Sequence, residues 1–249
     1  MRSWIVAGLM LLAGCAGQAG SNSSGSFDQG LRDRARIHTE LGSGYFAQGQ
    51  MAIALEEFKD AVNADPSYSL AYNGLGLVYS KLNEDDKAEA SFKRSIELEP
   101  NNPESHNNYG TFLCARNRVD ESITQFMEAV KNPLYTSSGV AYLNAGICSL
   151  KKQDAKNAEI YFRNALQAQP NSNAAAYQLA VISFNRGDHL LARGYLLNAM
   201  ADNPKPEMLW LGVRVERVLG DKHAEASYAM LLKNKYPDSE QTKALLSGQ

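Results

Sequence analysis

Glycine recurs along this chain at a regular interval. Leu41-Gly42, Leu75-Gly76, Tyr109-Gly110 and Ala145-Gly146 are spaced by 34, 34 and 36 residues. Phe58, Phe92, Phe126 and Phe162 follow at the same interval, as do small residues at Ala54, Ala88, Ser122, Ala158 and Ala192, and again at Ala61, Ser95, Ala129, Ala165 and Ala199. Prolines close most units, at Pro66, Pro100, Pro170 and Pro204, with Pro133 one place early. A fixed period of this length marks a stack of like units, each burying a face against its neighbours that it cannot bury alone. Two antiparallel helices fill such a unit. The glycines and small residues let them approach closely, and the phenylalanines, with Tyr45 and Tyr79, fill the space beside those contacts. Gly49, Asn83, Asn117, Gln153 and Gly187 fall at the turn between the helices, where Gly and Asn tolerate unusual backbone angles. The proline ends the second helix because the residue before it is pushed out of helical geometry.

This pattern strongly resembles the tetratricopeptide repeat, a 34-residue helix–turn–helix unit. The fold class it implies is all-α: a superhelical solenoid of six units, at 35–68, 69–102, 103–138, 139–172, 173–206 and 207–239, followed by a tail at 240–249. The third unit carries two extra residues near Tyr135-Thr136-Ser137-Ser138. The fifth replaces the glycine with Ala180 and the phenylalanine with Leu196. The sixth reads as degenerate, with Trp210 at the first aromatic position, Arg214 in place of the glycine, and a turn at Gly220-Asp221 one residue short. Terminal repeats are expected to be atypical because they cap the stack.

The N-terminus carries a different signal. Met1-Arg2-Ser3-Trp4 precedes the apolar run Ile5-Val6-Ala7-Gly8-Leu9-Met10-Leu11-Leu12, the layout of a bacterial export signal and too short to anchor in a bilayer. It ends in Leu12-Ala13-Gly14-Cys15, which closely resembles the lipobox of bacterial lipoproteins. That resemblance implies a signal peptide at 1–14, cleavage after Gly14 and acyl chains on Cys15. One chain holds a protein to a membrane only marginally, whereas two or three hold it stably. Ala16, rather than an aspartate, implies sorting to the outer membrane, facing the periplasm. Loss of Arg2 takes the net charge from −2 to −3. Residues 15–34 read as the lipidated cysteine and a flexible tether, since 16–30 are rich in Gly, Ser, Gln and Asn and have little to bury.

Of three cysteines, Cys114 and Cys148 remain once Cys15 is used. They fall on the first helices of the third and fourth units, which pack side by side. In an oxidising compartment a disulfide there persists; two buried thiols fit the pattern as well.

Residues for chemistry are not in evidence. His38, His106, His189 and His223 share no metal-ligand spacing, and His38 and His106 occupy first aromatic positions, where a packed ring is expected. Gly74-Leu75-Gly76 lies inside a helix with no strand before it and no Gly-Lys-Ser/Thr after it, so it is no nucleotide loop. Glu56-Glu57 and Glu84-Asp85-Asp86 read as solvated faces. The expectation is a non-enzyme without metal, cofactor (apart from the lipid on Cys15) or small-molecule substrate. The slightly acidic charge argues against nucleic acid.

A protein partner is the remaining class. In this repeat type, places 2, 5, 9 and 12 of the first helix line a groove suited to an extended peptide or helix. In units one to three these are Arg36, Thr39, Ser43, Phe46, Leu70, Asn73, Leu77, Asn107 and Thr111. In units four to six they are Val140, Leu143, Ile147, Tyr177, Val181, Phe184, Met208, Leu211 and Val215, far more apolar. Either a partner covers these, or they pack on one another as the superhelix tightens.

The lipobox, the short polar segment and the repeats together resemble the PilF/PilW family of type IV pilus biogenesis lipoproteins. Asn107-Asn108-Tyr109-Gly110-Thr111-Phe112-Leu113-Cys114, Asn144-Ala145-Gly146-Ile147-Cys148-Ser149 and Leu245-Leu246-Ser247-Gly248-Gln249 carry the likeness. The resemblance implies a pilotin, a lipoprotein that binds secretin subunits and promotes their outer-membrane insertion or multimerisation, or that stabilises the pilus. It also implies a disulfide between Cys114 and Cys148. The alternative class is an envelope adaptor that recruits peptidoglycan hydrolases or synthases.

Overall fold

The prolines and the turn residues divide the chain. In the computed structural model, which describes residues 22–248, the residues before Pro66, Pro100 and Pro170 are all extended (Asp65, Glu99 and Gln169, φ near −140°), and each follows the last residue of a helix. At the other boundary Gly49, Asn83, Asn117, Gln153, Gly187 and Gly220 all have positive φ, between 59° and 92°. A single left-handed residue reverses the chain between paired helices. All six were expected at this turn from the sequence, Gly220 as part of the shortened turn of the sixth unit.

Thirteen helices result among the described residues, with no strand. The first and second helices of each repeat, A and B, run as α1 (Asn22–Ala47) and α2 (Met51–Ala64), α3 (Ser69–Lys81) and α4 (Asp85–Leu98), α5 (Pro103–Ala115) and α6 (Val119–Ala129), α7 (Ser138–Lys151) and α8 (Ala155–Ala168), α9 (Asn173–Arg186) and α10 (His189–Ala199), and α11 (Pro206–Leu219) and α12 (Lys222–Lys235). A last helix, α13 (Glu240–Leu246), follows. Local capping fixes several starts. The Asn102 side chain accepts from the Ser105 backbone N–H with Pro103 behind it, and Asp154, Ser172, Asp221 and Ser239 cap their helices likewise.

The core lies between paired helices. Phe58, Phe92, Phe126 and Phe162, one from each of the first four B helices, are at most 2% exposed. Each lies over a glycine of its A helix: a Cβ on Gly42, Gly76, Gly110 or Gly146 would come within 2.5–2.9 Å of the ring. Repeat five makes the complementary choice. Ala180 supplies a methyl group and Leu196 is shorter than phenylalanine, and both are buried.

Three sequence readings change. Residues 22–34, expected as tether, belong to α1, where Leu31 and Arg32 lie against the α2–α3 connection and Arg32 stacks 5.6 Å from the Tyr68 ring. The segment is polar, but one side of it has repeat one to rest on. Residues 240–246, expected as tail, form α13, held by the buried Thr242 hydroxyl on the Tyr236 carbonyl at 2.7 Å. The sixth repeat does keep its close contact, through Gly212 rather than residue 214, with Tyr228 over it at 2.9 Å. Cys15 and the signal segment 1–14 lie outside the described residues.

Candidate partner-binding surface

Successive repeats are joined by polar contacts near the A–B turns. Arg116 at the end of α5 grips Asp85 at the start of α4, at 2.5–3.0 Å. Lys152 reaches Asp120 at 2.7 Å, Arg186 reaches Glu159 at 2.7 Å, and Arg193 pairs with Glu216, which is 3% exposed. Glu89 collects Arg118 (2.6 Å), Lys93 (2.9 Å) and the Tyr109 hydroxyl (2.9 Å). Arg118 above all holds the Glu89 carboxyl down to about 2. Burial first, and Glu89 second, push the Tyr109 phenol up to about 12. These groups act as ties between repeats. His38 spends Nδ1 on Glu57 and His106 on Gln125, each at 2.7 Å.

The expected groove residues divide three ways. Arg36, Ser43, Thr111, Val140 and Ile147 are exposed, Arg36 on a salt bridge to Glu40 at 2.8 Å. Phe46, Leu70, Leu77, Asn107 and Leu143 are half-buried. Thr39 and Asn73 are buried, so neither offers a free face. Thr39 donates to the Ala35 carbonyl, and Asn73 accepts from Asn108 at 3.3 Å. One helix on, Asn144 donates to Asn107 at 3.2 Å, so side-chain amides bridge α3 to α5 and α5 to α7.

In the last repeats the apolar groove residues mostly cover one another. Tyr177, Val181 and Phe184 pack on a cluster that contains the buried Met208, Leu211 and Val215. This was the second of the two alternatives left open by the sequence. The terminal repeat supplies the cover that a partner would otherwise have to give.

Two open features remain on the A-helix side. Cys114 on α5 and Cys148 on α7 are joined as a disulfide, with Cα atoms 5.8 Å apart. The Lys151 ammonium donates to the Cys114 carbonyl at 3.0 Å, and a pocket of about 200 Å³ opens beside them, with Thr111 and Ile147 in its wall. One repeat further, a cleft of about 650 Å³ separates the ends of α7 and α9.

Comparison with known proteins places this solenoid. Tetratricopeptide-repeat family profiles match residues 42–83, 69–102, 91–124 and 143–206. The type IV pilus assembly protein PilF of Pseudomonas aeruginosa is 30% identical over 230 residues, covering 92% of this chain and 90% of that one. The chain belongs to the PilF/PilW family. The solved PilF structure superposes with a TM-score of 0.79 at 27% identity, over 88% of this chain and all of that one. PilW, described as a widely conserved type IV pilus biogenesis factor, gives 0.73 at 32% identity, over 85% and 98%. A MamA structure at 19% identity and TM-score 0.55 shares the fold alone.

Sequence reasoning missed two features of this PilF/PilW-family solenoid. The pair Gly212–Tyr228 was legible, because glycine and aromatic stand 16 residues apart in repeats one to four as well. The cleft between α7 and α9 was not legible from groove positions alone. It depends on what neighbouring repeats place in the same seam.

Proposed function

We propose that this chain is a lipid-anchored outer-membrane scaffold for type IV pilus biogenesis, acting as a pilotin. Its solenoid binds secretin subunits and promotes their localisation or multimerisation, and Cys15 carries the lipid that holds it at the membrane, facing the periplasm. The observation that carries the reading is near full-length kinship to PilF, across 92% of this chain and 90% of that one. The Leu12-Ala13-Gly14-Cys15 motif supports the anchor. Among the described residues no helix is long and apolar enough to cross a membrane.

The test is genetic and electrophoretic. Deleting the gene is expected to deplete heat-resistant secretin multimers from unboiled membranes and to abolish piliation and twitching. Normal multimers together with normal piliation would end the proposal. Cys15→Ser is expected to release the protein from the outer-membrane fraction and weaken the same phenotypes.

A further inference from the structure

Five seams separate the six A helices near their C-terminal ends. In register, place twelve of one repeat falls opposite place ten of the next: Phe46 and Val78, Ser80 and Phe112, Cys114 and Cys148, Leu150 and Ile182, and, with the sixth unit counted from its contact glycine Gly212, Phe184 and Arg214. Four seams are filled by the chain itself. In the first, Phe46 packs on the cluster that contains the buried Val78. In the second, Phe112 is buried and Arg116 stacks over it at 4.9 Å while donating to the Ser80 carbonyl. The disulfide spans the third. In the fifth, Phe184 packs on the cluster of Val215 and carries Arg214 at 4.5 Å.

The fourth seam has neither an aromatic ring nor a disulfide across it, and Leu150 and Ile182 pack down on the cluster of Ala158, Phe162 and Leu179. Leu150 and Ile182 are aliphatic and leave the cleft of about 650 Å³, walled by these two with Ala155 and Val181. The backbone agrees with the side chains. α1 packs closely on α3 and α3 on α5; α5 and α7, and α9 and α11, approach each other at only a few points, and α7 and α9 at fewer still. Concave apolar sites of a few hundred Å³ with a few polar groups at the rim are the usual form of a binding pocket.

The rim selects by charge. Glu159 has both carboxylate oxygens engaged, one by Arg163 at 2.6 Å and the other by Arg186 at 2.7 Å. The Lys156 ammonium forms no salt bridge within 4 Å among the described residues, and acts only at longer range on Asp154. An incoming carboxylate therefore finds a cation, while an incoming cation finds no free carboxylate in the lining. At three other seams the chain places a phenylalanine ring where this one is empty.

We propose that the seam between repeats four and five is a docking pocket for a partner segment that carries an aromatic side chain next to an acidic residue. This deepens the reading of the chain as a protein-binding scaffold and rests on it.

The experiment uses the full chain in detergent, with isotope-labelled Ile, Leu and Val methyl groups followed by NMR. Three capped dipeptides are titrated: acetyl-Asp-Phe-amide, acetyl-Lys-Phe-amide and acetyl-Asp-Ala-amide. With Asp-Phe, saturable shifts are expected at Ile182, Leu150 and Val181, in the millimolar range that suits so small a ligand. Lys-Phe is expected to bind about threefold more weakly, the scale of one exposed ion pair, and Asp-Ala not to shift these methyls. Lys156→Glu, a surface change, should invert the Asp/Lys preference. Ile182→Phe, which plugs the seam from within, should abolish the shifts at Leu150. Equal binding of Asp-Phe and Lys-Phe, an unchanged preference in Lys156→Glu, or shifts confined to other repeats would overturn the proposal. If Ile182→Phe fails to fold, Lys156→Glu decides. Gene deletion tests the pilus role without reference to these peptides. A piliation defect without seam binding removes only the pocket, and seam binding without a piliation defect removes only the pilus role.

Discussion

A methyl group on Gly146 would sit 2.5 Å from the Phe162 ring, closer than packed carbon atoms come. Gly146→Ala is therefore expected to destabilise the fold by about 1–3 kcal/mol, the usual range for overpacking. Adding Phe162→Leu should recover most of that loss, because repeat five already uses the pair Ala180 and Leu196 with both residues buried. Denaturant unfolding of the two single variants and the double variant measures the coupling. Simple additivity would mean that the two positions do not share one packing volume. A second residue-scale prediction concerns acid. Glu89 is held at about 2 against an ordinary 4.5, with Arg118 as the main cause. A carboxyl lowered by folding stabilises the native state in full above its unfolded value, and that contribution fades as pH falls from about 4.5 towards 2. Glu89→Gln should lower stability at pH 7 and flatten its dependence on pH in that window. Tyr109 works in the opposite sense. A phenol raised to about 12 favours the native state below pH 10 and loses that contribution as pH rises from 10 to 12.

At the scale of helices, the disulfide ties α5 to α7 across the repeat that carries two extra residues. It closes a loop of 34 residues. Chain entropy alone assigns such a closure about 3–4 kcal/mol. Replacing both cysteines with serine is expected to cost about that much in chemical unfolding, and mass spectrometry of the unreduced protein should find no free thiol at Cys114 or Cys148. Two free thiols there would remove the bridge from the account. The same scale shows where sequence reading succeeds. The paired helices, their turns and their stops were legible because each rests on local chemistry: a left-handed residue, a proline, a glycine under an aromatic ring. The N-terminal part of α1 was not. Its first residues, Asn22-Ser23-Ser24-Gly25-Ser26, are poor helix formers, and further on Leu31 and Arg32 gain a neighbour, the α2–α3 connection, that sequence position does not reveal. For α13 the local signals, Ser239 capping Thr242 and Thr242 on the Tyr236 carbonyl, were present, but the packing of α13 against α11 is a tertiary contact. The groove residues of the last repeats were ambiguous for a related reason: place in a helix does not say whether the next repeat will cover it.

Across the whole molecule, stability in a stack of this kind is a sum of repeats and the interfaces between neighbours. Those interfaces are unequal here. Repeats three and four are bridged covalently, while the A helices of repeats four and five have no such bridge and meet at only a few points. Repeat five therefore leans on one side through α8 and α9, where Leu179 packs with Ala158 and Phe162. On the other side it leans on repeat six, where Ala180 and Leu196 share a cluster with Met208, Leu211 and Val215. Truncation after Asn203 removes the second support and uncovers that cluster. The expected result is a loss larger than the deletion: α9 and α10, still present, should exchange their amide protons rapidly, while α1 to α6 stay protected. Hydrogen exchange read by mass spectrometry separates these outcomes helix by helix. Full protection of α9 and α10 in the truncated chain would mean that the α8–α9 contact suffices. The open seam would then be a stable feature of repeats four and five, independent of the terminal repeat. Loss of protection would instead make repeat six the element that holds α9 in place beside the open seam.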